Sequence, residues 1–265
     1  MIRRFLLMSL LLFMASCVPN VEPHPPVHLR LVGSTSMVPL MEELAEAYRA
    51  RYEYVTFSIE GRGSQLGLEA LRYGGADIAL VSREMSGEEK GEFAFTLLAR
   101  DGIAMVVNEE NPVSRLTLEQ LRAIFAGKAL AWEEVGGGKG DIQVISREEG
   151  SGSREAFEGL VMEGEEVTSA AVVMPTSEAV VQYVAQEPSA IGYASLAALA
   201  PGTKALALQG VSPDLQTVSR GEYPLIRPLL LVTKKNPADE VRSFIDFCLR
   251  PVGQAIVSKN YARAK

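Results

Sequence analysis

The stretch LRLVGSTSMVPLMEELAEAY, residues 29–48, changes its hydrophobic period at a loop of small residues. Leu29–Val32 reads as a short apolar strand, whereas Met37, Leu40, Met41, Leu44 and Tyr48 recur at helical spacing. A strand that feeds an amphipathic helix through a tight loop is the repeating unit of an α/β protein. The same alternation continues downstream. Tyr54–Ile59, Ile78–Val81, Gly102–Val107, Ile142–Ile145, Ile191–Tyr193 and Leu229–Val232 read as strands. Helices are expected at Ser64–Arg72, from Thr117 to Phe125, and at Arg154–Met162, Ser177–Gln186, Pro237–Leu249 and Pro251–Lys259. Thr117 followed by Gln120 has the spacing of a capping box. The run Gly136-Gly137-Gly138-Lys139-Gly140 lacks phosphate-loop spacing and reads as a turn. The expectation is a largely parallel sheet with crossover helices, and such sheets bind ligands at the carboxyl ends of their strands.

The chain has 265 residues, 47% of them hydrophobic and 22% charged, which is enough to bury a sizeable core. Acidic residues outnumber basic ones 33 to 26, for a net charge of −7, so nucleic acid is not an expected partner. Any anion must therefore be held by a local site. The two histidines, His24 and His28, sit near the start and read as solvated linker and domain-edge residues. The two cysteines, Cys17 and Cys248, suggest neither a disulfide framework nor a zinc site, and no metal or cofactor is expected. Cys248 lies in an apolar helical pattern and reads as a buried thiol. Arg3 and Arg4 precede an apolar run from Phe5 to Met14, too short to span a bilayer, followed by Ala15, Ser16 and Cys17. This describes an export signal over residues 1–16. Met14-Ala15-Ser16-Cys17 resembles a bacterial lipobox, which implies lipidation of Cys17 and a membrane tether at the outer face. Residues 17–27, rich in proline, read as the linker between anchor and body.

Four loops rich in small residues fall at strand-to-helix junctions: Gly33-Ser34-Thr35-Ser36, Gly61-Arg62-Gly63-Ser64, Ser82-Arg83, and Arg147 through Arg154 with Gly150-Ser151-Gly152-Ser153 inside it. Hydroxyls and free backbone amides at such junctions suit an oxyanion, and glycine lets the backbone approach it closely. Arg147 adds a planar, permanently charged fork. A serine-dependent surface hydrolase is the competing reading of Ser151-Gly152-Ser153. It would need a base beside the serine, and the body contains no histidine pair and no Ser-x-x-Lys spacing.

Across nearly the whole body, from Leu31 to about Tyr261, the sequence resembles the phosphate-binding lipoproteins of bacterial ABC transporters, within the type II periplasmic-binding-protein fold. The resemblance is carried in order by GSTSMVPLMEELAEAY, GRGSQLGLEAL, GGADIALVSRE, LARDGIAMVVNEENPV, LTLEQLRAIFAG, SREEGSGSREAFE, IGYASL, YPLIRPLLLVTK and FIDFCLRPVGQAIV. It implies two lobes, each a mostly parallel sheet flanked by helices, joined by crossing strands at Gly102–Val107 and Leu225–Val232. Lobe one would comprise residues 28–104 plus 226–265, and lobe two residues 105–225. It further implies a monomeric, extracytoplasmic receptor, not an enzyme, that delivers inorganic phosphate to ABC permease subunits. The phosphate-binding residues carried over are Thr35 and Ser36 with Ser34 beside them, Ser64, Ser82, Arg147, Ser151, Gly152 and Ser153. Arg83 stands where well-known members have an aspartate that accepts the proton of monohydrogen phosphate. Arg83 is therefore either a ligand contact or a rim charge, and Glu149, Glu60, Glu84 or a backbone carbonyl would have to serve as the acceptor. Glu149 also matches an acidic position that holds the arginine. Without an acceptor, sulfate, molybdate or tungstate become alternative ligands.

Overall fold

The computed structural model describes residues 24–264; residues 1–16, expected above to be an export signal, and Cys17 lie outside them. In chain order the elements are β1 (Val27–Gly33), α1 (Val38–Arg49), β2 (Val55–Gly61), α2 (Ser64–Arg72), β3 (Ile78–Val81), α3 (Gly87–Glu92) and β4 (Ala94–Asn108). There follow β5 (Arg115–Leu116), α4 (Leu118–Phe125), β6 (Gln143–Arg147), α5 (Gly152–Phe157), β7 (Val172–Met174), α6 (Ser177–Gln186) and β8 (Ala190–Ser195). The chain ends with β9 (Thr203–Ala205), β10 (Ala207–Leu208), α7 (Leu215–Arg220), β11 (Ile226–Thr233), α8 (Asp239–Leu249), α9 (Pro251–Val257) and β12 (Ala262–Arg263).

The principal strands run in the order β2-β1-β3-β11-β4-β8-β6-β7. At one end β1 pairs in parallel with β2 and β3, and at the other β6 pairs in parallel with β7 and β8. The middle is antiparallel: β11 runs against both β3 and β4, and β4 runs against β8. A purely parallel sheet is thus not what forms. The architecture is the two-lobed α/β arrangement, with β4 crossing from one lobe to the other. Its first half pairs with β11 through Ala94–Gly102, and its second half pairs with β8 through Ile103–Val107. β4 is far longer than the expected Gly102–Val107. The segment Ala94–Asp101 mixes Thr96, Arg100 and Asp101 with apolar residues, so its strand character comes from pairing with β11 rather than from its own pattern.

The all-apolar run of β4 after Gly102 follows from burial on both faces. Ile103, Met105 and Val107 enter one cluster with Leu121, Phe125, Phe157 and Tyr193. Ala104 and Val106, pointing the other way, pack with Ile145, Val180, Val184 and Ala194 beneath α6. β11 divides in the same manner. Leu229 and Leu231 join Leu31, Met41, Leu44 and Phe244, while Leu230 and Val232 meet Leu68, Leu71 and Phe93 under α2. The capping box of Thr117 and Gln120 is present at the start of α4, with both reciprocal hydrogen bonds formed. Cys248 is a buried free thiol, and burial raises its pKa. His28 lies on β1, at the end away from Gly33, with its ring nitrogens against the hydroxyls of Thr56 and Ser58. His24 stacks on Tyr54.

Candidate functional site

The carboxyl ends of β1, β2, β3 and β6 meet where the two lobes face each other, and they bring the four loops together. Ser34 follows β1, Ser36 lies in the single turn Thr35–Met37 before α1, Ser64 opens α2, and Ser82 follows β3. From the other lobe come Arg147 at the end of β6 and Ser151, Gly152 and Ser153 at the start of α5. Ser34, Ser36, Ser64, Ser82, Arg147, Ser151 and Ser153 are all buried. The Ser34 hydroxyl lies 2.7 Å from that of Ser82 and 3.0 Å from that of Ser36. The Ser64 hydroxyl accepts from the Ser82 backbone N–H at 3.2 Å. Ser151 instead uses its oxygen to cap α5, accepting from the Arg154 N–H.

Two glycines make this convergence possible. Gly63 has φ +89°, and a Cβ there would stand 2.7 Å from the Gly150 carbonyl oxygen of the opposite lobe. A Cβ on Gly152 would stand 2.2 Å from the Ser64 hydroxyl and 2.6 Å from that of Ser82. A side chain at either place would push the lobes apart.

Arg147 is only 1% exposed. Its Nε donates to the Met174 carbonyl at 3.0 Å, and Nη2 donates to the Pro175 carbonyl at 2.6 Å and to Thr35 Oγ1 at 3.0 Å. The last bond crosses between the lobes. Nη1 is buried and has no hydrogen-bond partner among the described residues. Its guanidinium pKa is lowered, first by burial, with the Tyr193 hydroxyl acting against that effect and the nearby charge of Arg227 adding to it. The Tyr193 hydroxyl accepts from the Arg147 backbone N–H at 3.2 Å and meets Ser146 Oγ at 2.9 Å. Its ring stacks on Phe157 at 4.3 Å, and burial pushes its pKa up to about 12. Arg147 is held by carbonyls rather than by Glu149, which is exposed.

Arg83 sits apart from the hydroxyl ring. It forms a two-point pair with Glu89 at 2.8 Å for each oxygen, and Glu155 Oε2 of the opposite lobe lies 2.5 Å from its Nε. Burial raises the Glu155 carboxyl above its usual range, with Arg83 acting in the opposite direction. Glu60 and Glu84, the other candidate acceptors, are exposed.

Two residues at the centre of the site were not singled out from the sequence. Arg227 of β11 and Asp101 of β4 face each other in the strand register, both essentially fully buried, and Asp101 Oδ2 accepts from Arg227 Nη2 at 2.8 Å and Nε at 3.1 Å. Arg227 Nη1 lies 2.5 Å from Ser153 Oγ and 3.3 Å from Ser82 Oγ, and Nη2 lies 3.1 Å from Ser36 Oγ. Burial raises the Asp101 carboxyl, with Arg227 opposing. The available signal was an aspartate in one apolar strand and an arginine in another, in LARDGIAMVV, which also holds Arg100, and LIRPLLLV. Among the described residues Asp101 is the buried carboxylate, and its Oδ1, like Arg147 Nη1, is buried without a hydrogen-bond partner.

A profile described as a PBP superfamily domain matches residues 20–252. A phosphate ABC transporter substrate-binding protein from Clostridium perfringens, solved with bound phosphate, is 36% identical with a TM-score of 0.86, covering 90% of this chain and 100% of that one. An ABC-type phosphate transport receptor from Vibrio cholerae is 32% identical with a TM-score of 0.77, covering 88% and 99%. The phosphate-binding protein PstS 2 of Streptococcus pneumoniae is 42% identical over 107 residues, which span 40% of this chain and 37% of that protein.

Proposed function

Because the chain belongs to the phosphate ABC transporter substrate-binding proteins of the PBP superfamily, we propose that it captures inorganic phosphate between its two lobes and delivers it to ABC permease subunits. In this reading it binds and releases its cargo without chemical change. Lobe one comprises residues 28–104 plus 226–265 and lobe two residues 105–225, with β4 and β11 as the crossing strands. The hydroxyls of Ser34, Thr35, Ser36, Ser64, Ser82 and Ser153 surround the anion together with Arg147, while Gly152 leaves room for it. Ser151 acts by fixing the loop that carries Ser153. Arg83 ties lobe to lobe through Glu155 rather than touching phosphate. The protein works outside the cytoplasm as a monomer, tethered by lipid on Cys17.

The observation that carries this reading is the buried, unpartnered Nη1 of Arg147, on a guanidinium whose Nη2 reaches the Thr35 hydroxyl of the opposite lobe. A buried donor without a partner costs on the order of 1–3 kcal/mol, more when charged, and a dianionic ligand removes that penalty. Calorimetry at pH 7 tests it. One phosphate per chain with a dissociation constant on the order of micromolar or tighter is expected, equivalent to about −8 kcal/mol or better. Arg147→Ala is expected to weaken it by about 1.5–3 kcal/mol. No heat with phosphate, alongside saturable binding of molybdate, would overturn the assignment while leaving the fold intact.

A further inference from the structure

We propose that Arg227 is a second guanidinium serving anion binding at this site, acting through its positive charge and through the serine hydroxyls it orients, and held in place by its buried pair with Asp101. The inference rests on the phosphate reading above and concerns the floor of the same cleft. Arg227 lies on a crossing strand, and its fork reaches Ser36 and Ser82 of one lobe and Ser153 of the other. No other side chain in the described residues meets hydroxyls from three of the four loops. A guanidinium carries five donors and no acceptor. Two of them satisfy Asp101 Oδ2, and the remainder are directed at hydroxyl oxygens. A hydroxyl that accepts from Arg227 has its own proton left to donate: that of Ser153 is left for the cleft, while Ser36 and Ser82 both lie against the Ser34 hydroxyl, which can donate to only one of them, so one of their protons is spent on Ser34 and the other is left for the cleft.

The charge arrangement supports the same conclusion. Arg147 and Arg227 are close enough that the charge of Arg227 acts on Arg147, and Asp101 balances only one of the two. Two guanidiniums with one carboxylate leave a buried net positive charge, which is costly unless an anion sits between them. Asp101 Oδ2 is committed to Arg227, accepting from both Nε and Nη2, and the buried Oδ1 has no hydrogen-bond partner among the described residues. Asp101 therefore acts through Arg227, fixing the direction of its fork. A purely structural pair at the junction of the lobes would satisfy Arg227 with carboxylate and carbonyl oxygens, as happens for Arg30 with Asp77 and the Gly74 carbonyl.

The experiment uses the full chain and inorganic phosphate, measured by calorimetry, with thermal melts recorded without phosphate. In the paired substitution Arg227→Gln with Asp101→Asn, both charges go, asparagine keeps the shape of the aspartate and the shorter glutamine keeps an amide donor, so no unpaired buried charge remains. Affinity is expected to fall at least about tenfold, as for the loss of a charge-assisted hydrogen bond, while the melt stays two-state. Arg227→Lys retains the charge against Asp101 but loses the fork, and is expected to bind with an intermediate affinity. Wild-type affinity in a folded paired variant would overturn the inference and leave the phosphate reading standing. Failure of the wild-type protein to bind phosphate would overturn both. Should the paired variant fail to fold, Arg227→Lys decides: an unchanged affinity in that protein overturns the inference, and a reduced affinity with an unchanged melt supports it.

Discussion

Gly152 offers a test of the closed site that separates binding from folding. In Gly152→Ala the new Cβ would lie 2.2 Å from Ser64 Oγ, 2.6 Å from Ser82 Oγ and 3.1 Å from Ser64 Cβ, all groups of the opposite lobe. Since ordinary contact begins at 3.4 Å, the Ser64 hydroxyl has to retreat by about 1.2 Å. Rotating it away is not enough, because Ser64 Cβ is also too near and Ser64 is wholly buried. Rotation also removes the acceptor of the Ser82 N–H. Overpacking costs about 1–3 kcal/mol and an orphaned buried amide about 1–3 kcal/mol more. The sum corresponds to a loss of phosphate affinity of at least about thirtyfold. Folding is expected to be spared. The backbone of Gly152 is not left-handed, alanine suits a helix better than glycine by up to about 1 kcal/mol, and the clash disappears when the lobes part. Calorimetry with phosphate and a thermal melt without it measure the two quantities. Gly159→Ala, where a Cβ meets nothing within 4 Å, is the control and should leave both unchanged. Phosphate affinity within about threefold of wild type in Gly152→Ala would refute the packing argument, as would a collapse of the melt with affinity retained.

The tie between Arg83 and Glu155 spans the two lobes, so Glu155→Gln should speed phosphate release by a few-fold in stopped-flow measurements. Arg83 keeps its pair with Glu89, so the melting temperature should move little, and an unchanged release rate would show that the tie has no part in closure. On the acid side, burial would raise the carboxyls of Asp77 and Glu89, but hydrogen bonds from Arg30 and Arg83 respectively hold both below their usual range. A depressed folded value means that the stabilisation is present above the ordinary carboxylate pKa of about 4 and is lost as pH falls through the folded value. Melts between pH 7 and 3 should show this loss, and Asp77→Asn should flatten the pH dependence; an unaltered slope in that variant would contradict the assignment.

Residue types and their spacing settled much of the fold before any tertiary contact was considered. α2 at Ser64–Arg72, β3 at Ile78–Val81 and α6 at Ser177–Gln186 occupy the expected residues, because the helices show a clear helical period and β3 is a short, wholly apolar run between polar neighbours. The serine loops were legible because four of them recur at strand-to-helix junctions; singly such a hydroxyl more often caps a helix, as that of Ser151 caps α5. The two arginines show where this reasoning stops. Arg83 follows Ser82 directly, which made it a natural candidate, yet the chain at the end of β3 sends the Ser82 hydroxyl to the ring and the Arg83 side chain to Glu89 and Glu155. Arg227 is 145 residues from Ser82, and no local pattern connects them. They meet because β11 inserts antiparallel between β3 and β4, which places Arg227 opposite Asp101 at the junction of the lobes. Spacing along the chain shows loops suited to an anion; which guanidinium reaches their hydroxyls is decided by the order of strands in the sheet.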